Sequence, residues 1–186
     1  SSRAVYGCHP PGTALHEGLP PRPDTLYGTV KLATEQALAA LAGPGFAPLS
    51  LRATGVYGPP VPGLPHKWAD LFAAFARGER PAPRCGTEVH AGDLAAAIRL
   101  LLDAPAEALA PRVFNVSDFV LDRRDLLAAW SGIAGIDGPL PDPADATEVR
   151  AMTTDRLHAL GWQPRGPAAL RGVLRAIADA TPTPGG

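Results

Sequence analysis

Cysteine, lysine and long apolar runs are all scarce in this sequence, and each scarcity removes a class of function. Cys8 and Cys85 are its only thiols, too few for a disulfide framework or a four-thiolate zinc site. No apolar run approaches about 18 residues, and no charged-then-apolar leader opens the chain, so a soluble, cytoplasmic protein without membrane contact is expected. Seventeen Lys+Arg stand against 18 Asp+Glu, a net charge of −1. The basic stripe of a dedicated nucleic-acid binder is therefore missing. Of the cations only two are lysines, Lys31 and Lys67, so a lysine at a motif position carries information. The sequence also contains no Gly-x-x-Gly-x-x-Gly, the loop that cradles a dinucleotide's phosphates on backbone N–H groups.

What is present suffices for a core: 46% of the 186 residues are hydrophobic. The 20 Gly and 22 Pro punctuate periodic segments and form no low-complexity tract. Ala4–Gly7 reads as the end of a buried strand, followed by a loop from Cys8 to Pro23. Asp24 or Thr25 then caps a helix on which Leu26, Val30, Ala33, Ala37 and Leu41 recur at helical spacing, stopped by Gly43-Pro44-Gly45. Ala47 to Val56 reads as the next strand, and strand–helix–strand at this spacing predicts a parallel crossover. Trp68 to Arg77 reads as a helix with Trp68, Leu71, Phe72 and Phe75 on one face, more simply core or pocket wall than a nucleic-acid platform. Asp93 is placed as the cap of a helix over Leu94–Leu102, Arg112–Val116 as a short strand, and Arg124–Ile133 as a helix. A loop follows from Asp137 to Asp145. Thr154–Leu160 and Pro167–Ala180 read as helices, and Thr181–Gly186 as a frayed tail.

Chemistry concentrates on the first helix. Tyr27 and Lys31 lie four residues apart and share a face. A phenol is a poor acid or base near neutrality, and a cation one turn away favours the phenolate and brings proton transfer within reach. Ser2 would present its hydroxyl at the edge of the neighbouring strand. The trio suits moving a proton on a hydroxyl while a hydride leaves or joins the same carbon. A bare Tyr-x-x-x-Lys arises by chance roughly 3% of the time in such a composition, with Lys31 merely pairing with Glu35 as the bland reading. A Ser2–His90–Asp93 hydrolase lacks a Gly-x-Ser-x-Gly elbow, and a metal site from Cys8, His9, His16, Cys85 and His90 lacks paired ligand spacing.

Context sharpens the motif. Ser1 to Gly7 (SSRAVYG), Tyr27 to Glu35 (YGTVKLATE) and Leu51 to Pro59 (LRATGVYGP) resemble active-site segments of the extended short-chain dehydrogenases/reductases, the NAD-dependent epimerase/dehydratase group. Val89 to Ala95, Val113 to Val116 and Leu160 to Pro164 resemble its later landmarks in the same order. The resemblance implies an α/β fold: the later part of a doubly wound parallel, Rossmann-like sheet with a smaller mixed substrate-binding region. It implies catalysis by Ser2, Tyr27 and Lys31. Tyr27, Lys31, Thr54 and Val56 would lie against NAD or NADP, Ser2, Gly55 and Arg84 would face the substrate, and no metal would be held. The substrate would be a small molecule, a sugar or nucleotide sugar, and a helical bundle including the Tyr27 helix would pair subunits into a homodimer. Glu17 resembles a recurrent loop acid with a structural role.

Departures from the pattern qualify the reading. Arg3 and Ala4 stand where family dehydratases carry an acidic pair, which disfavours dehydration. Gly55 stands where nucleotide-sugar epimerases often have Asn, and Gly86 and Thr87 occupy the region of an Arg that holds diphosphate, leaving Arg84 or Arg150 as the available cations. Because the first residues already match a mid-domain strand, roughly the first third of the usual protein, phosphate loop included, is expected to be missing. The expected organisation is residues 1–59 from the dinucleotide-binding domain, 60–92 for substrate, 93–117 returning to the main sheet, 118–180 for substrate again, and a tail at 181–186. Epimerase and dehydrogenase/reductase both remain open, and the alternative is a catalytically incompetent remnant or binding module of the same fold.

Overall fold

The computed structural model describes residues 1–180; the expected tail, residues 181–186, lies outside them. The described elements are α1 (Leu26–Ala40), β1 (Ser50–Ala53), β2 (Gly55–Tyr57), α2 (Ala69–Ala76), β3 (Cys85–His90), α3 (Ala91–Asp103), β4 (Val113–Val116), β5 (Phe119–Asp122), α4 (Arg123–Ala134), α5 (Asp155–Ala159) and α6 (Ala168–Ala180). The architecture is mixed α/β, similar to the Rossmann-like fold anticipated.

The strand expected at Ala4–Gly7 is reduced to one parallel bridge between Ser2 and Ala53. Arg3–Val5 instead wind into a 3₁₀ turn. The Ser2 hydroxyl accepts a hydrogen bond from the Ala4 N–H at 3.2 Å, satisfying the turn and drawing the chain away from the ladder. The strand expected over 47–56 is broken in two at Thr54. β1 pairs in parallel with β4, Ser50 opposite Val113 through Ala53 opposite Val116. β2 leaves that sheet and pairs in parallel with β3, which pairs antiparallel with β5. Thr54 belongs to both: its N–H donates to the Val116 carbonyl (3.1 Å) and its hydroxyl to the Thr87 carbonyl (2.7 Å). β3 and β5 escape the periodicity because Cys-Gly-Thr-Glu and Phe-Val-Leu-Asp are short and do not alternate cleanly.

Asp93 does not cap α3. The helix starts at Ala91, and His90 Nδ1 takes the capping position by accepting from the Gly92 N–H at 3.0 Å. The buried Asp93 carboxylate instead meets Arg165, accepting from its backbone N–H at 3.0 Å and lying 3.2 Å from its Nε.

Beside a small cluster of Val5, Tyr6, Leu15 and Met152, two larger apolar cores hold these layers among the described residues. One packs Val89, Leu101, Phe114 and Trp162 between the parallel sheet and α3. The other joins α2, α4 and α6 around Phe72 and Trp130, whose rings stack 4.2 Å apart. α1 is held differently. Thr25 caps it, accepting from the Gly28 N–H at 3.1 Å, yet its apolar stripe faces outward: Leu26 is 81% and Leu41 68% exposed. Its buried positions are Gly28 and Glu35. At Gly28 the helix touches the Ser2–Ala4 turn so closely that a Cβ would lie 2.4 Å from the Ala4 carbonyl oxygen. Gly28→Ala gains up to about 1 kcal/mol of helix propensity. It must also push two backbones apart, an overpacking cost of about 1–3 kcal/mol. A net fall in Tm of a few degrees is expected on thermal unfolding.

Candidate active site

The Ser2–Ala4 turn, the Thr54–Gly55 switch between sheets, the start of α2 and the strand β3 surround a cavity of about 820 Å³. Four of the residues singled out from sequence share its wall: Ser2, Thr54, Gly55 and Arg84. Tyr27, Lys31 and Val56 lie outside that wall. The tight seat of Gly28 on Ala4 nevertheless brings the first turn of α1 against the Ser2–Ala4 turn. Tyr27 is 57% exposed, and the Lys31 ammonium stands 5.4 Å from its ring centre.

The polar groups of the wall differ in how far they are already engaged. Ser2 spends a lone pair on the Ala4 N–H, which leaves its hydroxyl proton to donate into the cavity. Thr54 spends its proton on Thr87 and also contacts the Thr87 hydroxyl. Arg84 makes no side-chain hydrogen bond or ion pair with the described residues, and its carbonyl receives the Arg123 N–H at 2.8 Å. Burial, and then the adjacent Arg84 guanidinium, lower the pKa of Arg123 below the usual arginine value. Two guanidiniums thus crowd one end of the cavity. Arg150 is occupied: its Nε reaches the His9 carbonyl, and its own carbonyl takes two hydrogen bonds from Arg3.

Residues to which the sequence assigned no part in this site complete the wall. Lys67 Nζ meets Glu88 Oε2 at 2.5 Å, and Cys85 and Arg123 line the cavity with them. Burial first, then the Asp122 carboxylate, push the Cys85 thiol up. The one available signal was Lys67 itself, the second of two lysines; Lys67 and Glu88 stand 21 positions apart, beyond any local pattern. Tyr57, beneath the cavity's Trp68, is buried with its hydroxyl unpartnered among the described residues. Burial, followed by the charges of Asp118, Asp93 and Glu88, pushes that phenol up to about 12. Glu17 accepts the Asn115 N–H at 2.9 Å, and Tyr6 donates to Asn115 Oδ1 at 2.8 Å, fastening the loop ahead of α1 to β4.

The rival constellations are occupied elsewhere. His90 caps α3 and Asp93 is bound to Arg165, so neither is disposed toward Ser2. Among the described residues no three His, Cys, Asp or Glu are placed to hold a metal ion, and no helix is long and apolar enough to cross a membrane.

The sequence pattern of the NAD dependent epimerase/dehydratase family matches residues 1–117. No sequence among the curated proteins matches this one. Among solved structures, a UDP-glucose 4-epimerase with UDP-glucose from Thermotoga maritima is similar at TM-score 0.73 and 22% identity, over 96% of this chain and 60% of that one. MoeE5 in complex with UDP-glucose and NAD is similar at TM-score 0.65 and 27% identity, over 96% and 62%. RMD from Pseudomonas aeruginosa complexed with NADPH is similar at TM-score 0.74 and 26% identity, over 96% and 63%. The chain therefore spans about three-fifths of the length of each.

Proposed function

From the chain's membership of the NAD dependent epimerase/dehydratase family, which the match over residues 1–117 establishes, we propose that it supplies the proton-transfer and substrate side of an NAD(P)-dependent epimerase or dehydrogenase/reductase acting on a sugar or nucleotide sugar. The observation that carries the reading is the seat of the Tyr27–Lys31 helix on the Ser2 turn, at the edge of a cavity large enough for such a substrate. Relatives with UDP-glucose and NAD, or with NADPH, support it.

A nicotinamide cofactor, when bound, accepts or returns a hydride at the substrate carbon. The exposed Tyr27, with the half-buried Lys31 ammonium near its ring, fits the nicotinamide and ribose end of such a group. Val56, 37% exposed, remains open to it. Thr54, whose hydroxyl proton goes to Thr87, would offer packing and an acceptor oxygen there, not a donor. Tyr27 takes the proton from the substrate hydroxyl in one direction and returns it in the other. Lys31 stabilises the charge that develops on the phenol oxygen. Ser2 donates its free proton to the same substrate oxygen, and its orientation is fixed by the Ala4 N–H. Arg84 and Arg123 offer a cationic end suited to a phosphate group.

Lys31→Met in the full-length protein is expected to lower kcat and raise KM for the cofactor together, each by about tenfold or more, with folding unchanged because the side chain is only half-buried. A kcat and KM both within twofold of wild type would remove Lys31 from the site. Because the glycine-rich loop is absent from its sequence, the 186-residue chain alone should bind NAD(H) only weakly; micromolar binding by calorimetry would contradict that. The outward apolar face of α1 is proposed as the surface through which two copies pair. Val30→Glu, at a position already 53% exposed, should shift the mass measured by sedimentation toward the monomer.

A further inference from the structure

The cavity contains a carboxylate that the proposed reaction does not use. Glu88 and Gly55 are directly opposed on β3 and β2, and the Glu88 side chain lies across its partner. A Cβ on Gly55 would stand 2.7 Å from Oε2 and 2.8 Å from Oε1. Gly55 shows no positive φ, so glycine serves here for room, and the room is filled by the carboxylate. Lys67 holds Glu88 in place, its Nζ 2.5 Å from Oε2 and 5.3 Å from the centre of the Trp68 ring. Among the described residues no hydrogen bond reaches Oε1. The carboxylate is 15% exposed and forms part of the cavity wall. One lone-pair-bearing oxygen therefore faces the substrate space, already oriented and compensated by a single ammonium.

We infer that Glu88 is a specificity-determining residue, accepting a hydrogen bond from a hydroxyl of an uncharged sugar and excluding a sugar that carries a carboxylate at that point. This rests on the proposed function above. An acceptor held in one orientation on the cavity wall discriminates in two ways: a hydroxyl satisfies it, and a second carboxylate brought against it is repelled. Lys67 tempers the repulsion without removing it, because its ammonium is already engaged with Oε2.

The test is the ratio of Kd values for UDP-glucuronate and UDP-glucose, measured by calorimetry on the full-length protein. The wild type is expected to favour UDP-glucose by about tenfold or more. Glu88→Gln, which keeps the shape and removes the charge, should reduce that preference about tenfold. Lys67→Met, at a partly exposed position, leaves the Glu88 charge uncompensated and should widen the preference severalfold. Opposite shifts in the two variants mark charge discrimination, whereas a merely structural ion pair would move both affinities alike in both variants. An unchanged ratio in Glu88→Gln, or shifts of one sign in both, overturns the assignment and leaves the proposed function standing. Failure of the wild type to bind either compound overturns both.

Discussion

Replacing Tyr27 by Phe is expected to lower kcat of the full-length protein by about 10²–10⁴-fold and to leave Tm almost unchanged. The two halves of this expectation rest on different observations. The phenol makes no hydrogen bond with any described residue and its side chain is 57% exposed, so deleting one oxygen touches neither core nor cap. Substitutions at such positions usually stay within about 0.5 kcal/mol. Proton transfer, in contrast, has no substitute nearby. Ser2 has one free proton but no neighbouring base, and Thr54 has its proton bound to Thr87. Substrate KM should change little, because the cavity wall does not include Tyr27. Steady-state kinetics beside a melting curve decides the matter. Turnover within twofold of wild type would remove Tyr27 from the mechanism, and a large fall in Tm would make it a structural residue.

How much of this was legible in the sequence depended on the range of the interaction. Helices carried by local signals, such as α1 with its Thr25 cap and α4 with Asp122 before it and Gly135 (φ 66°) after it, could be placed within a few residues. Features fixed by partners far along the chain could not. Thr54 reads as an ordinary strand residue, and only Val116 on one side and Thr87 on the other make it the point where the chain changes sheets. Asp93 looks like a cap by its place before an apolar run, until Arg165 claims it and His90 takes the cap. The apolar spacing over Leu26–Leu41 matches α1. That stripe marks the helix and not its buried face, which is set by the Gly28 contact and the Glu35 charge. Ser2, Thr54, Gly55 and Arg84 could be gathered from motifs, whereas the Lys67–Glu88 pair arises only from the pairing of β2 with β3 and the return of the chain at α2.

That buried charge sets the largest expected effect on stability. Arg52 on β1 and Glu35 on α1 form a two-pronged pair, Nε to Oε1 at 3.0 Å and Nη2 to Oε2 at 2.7 Å, with both side chains under 10% exposed. The guanidinium also lies 4.7 Å from the centre of the Tyr6 ring. Arg52→Ala should cost about 3–5 kcal/mol, mainly because an unpaired carboxylate is left in the interior. Burial by itself would raise the Glu35 pKa, but the hydrogen bonds from Arg52 and Ser1, with the positive charges beside them, together outweigh it and hold the carboxyl below its ordinary value of 4.5. The folded state thus binds that proton less readily than the unfolded chain. The resulting stability is full above pH 4.5 and is lost as pH falls from there through the lower folded value. Wild type should therefore lose Tm over that acidic interval more steeply than Glu35→Gln, which has no proton to take up. Replacing both partners, Arg52→Met with Glu35→Leu, removes the stranded charge and should recover most of what the single change loses. Chemical denaturation of the four proteins tests this directly: a double variant no more stable than Arg52→Ala would mean that the site needs its charges for packing. Because Glu35 lies one helical turn beyond Lys31 on α1, turnover in the single variants should fall along with their stability and return in the double. Activity that stayed low in a restored double variant would show that the pair sets the rotation of α1, and so the aim of Tyr27, as well as its attachment.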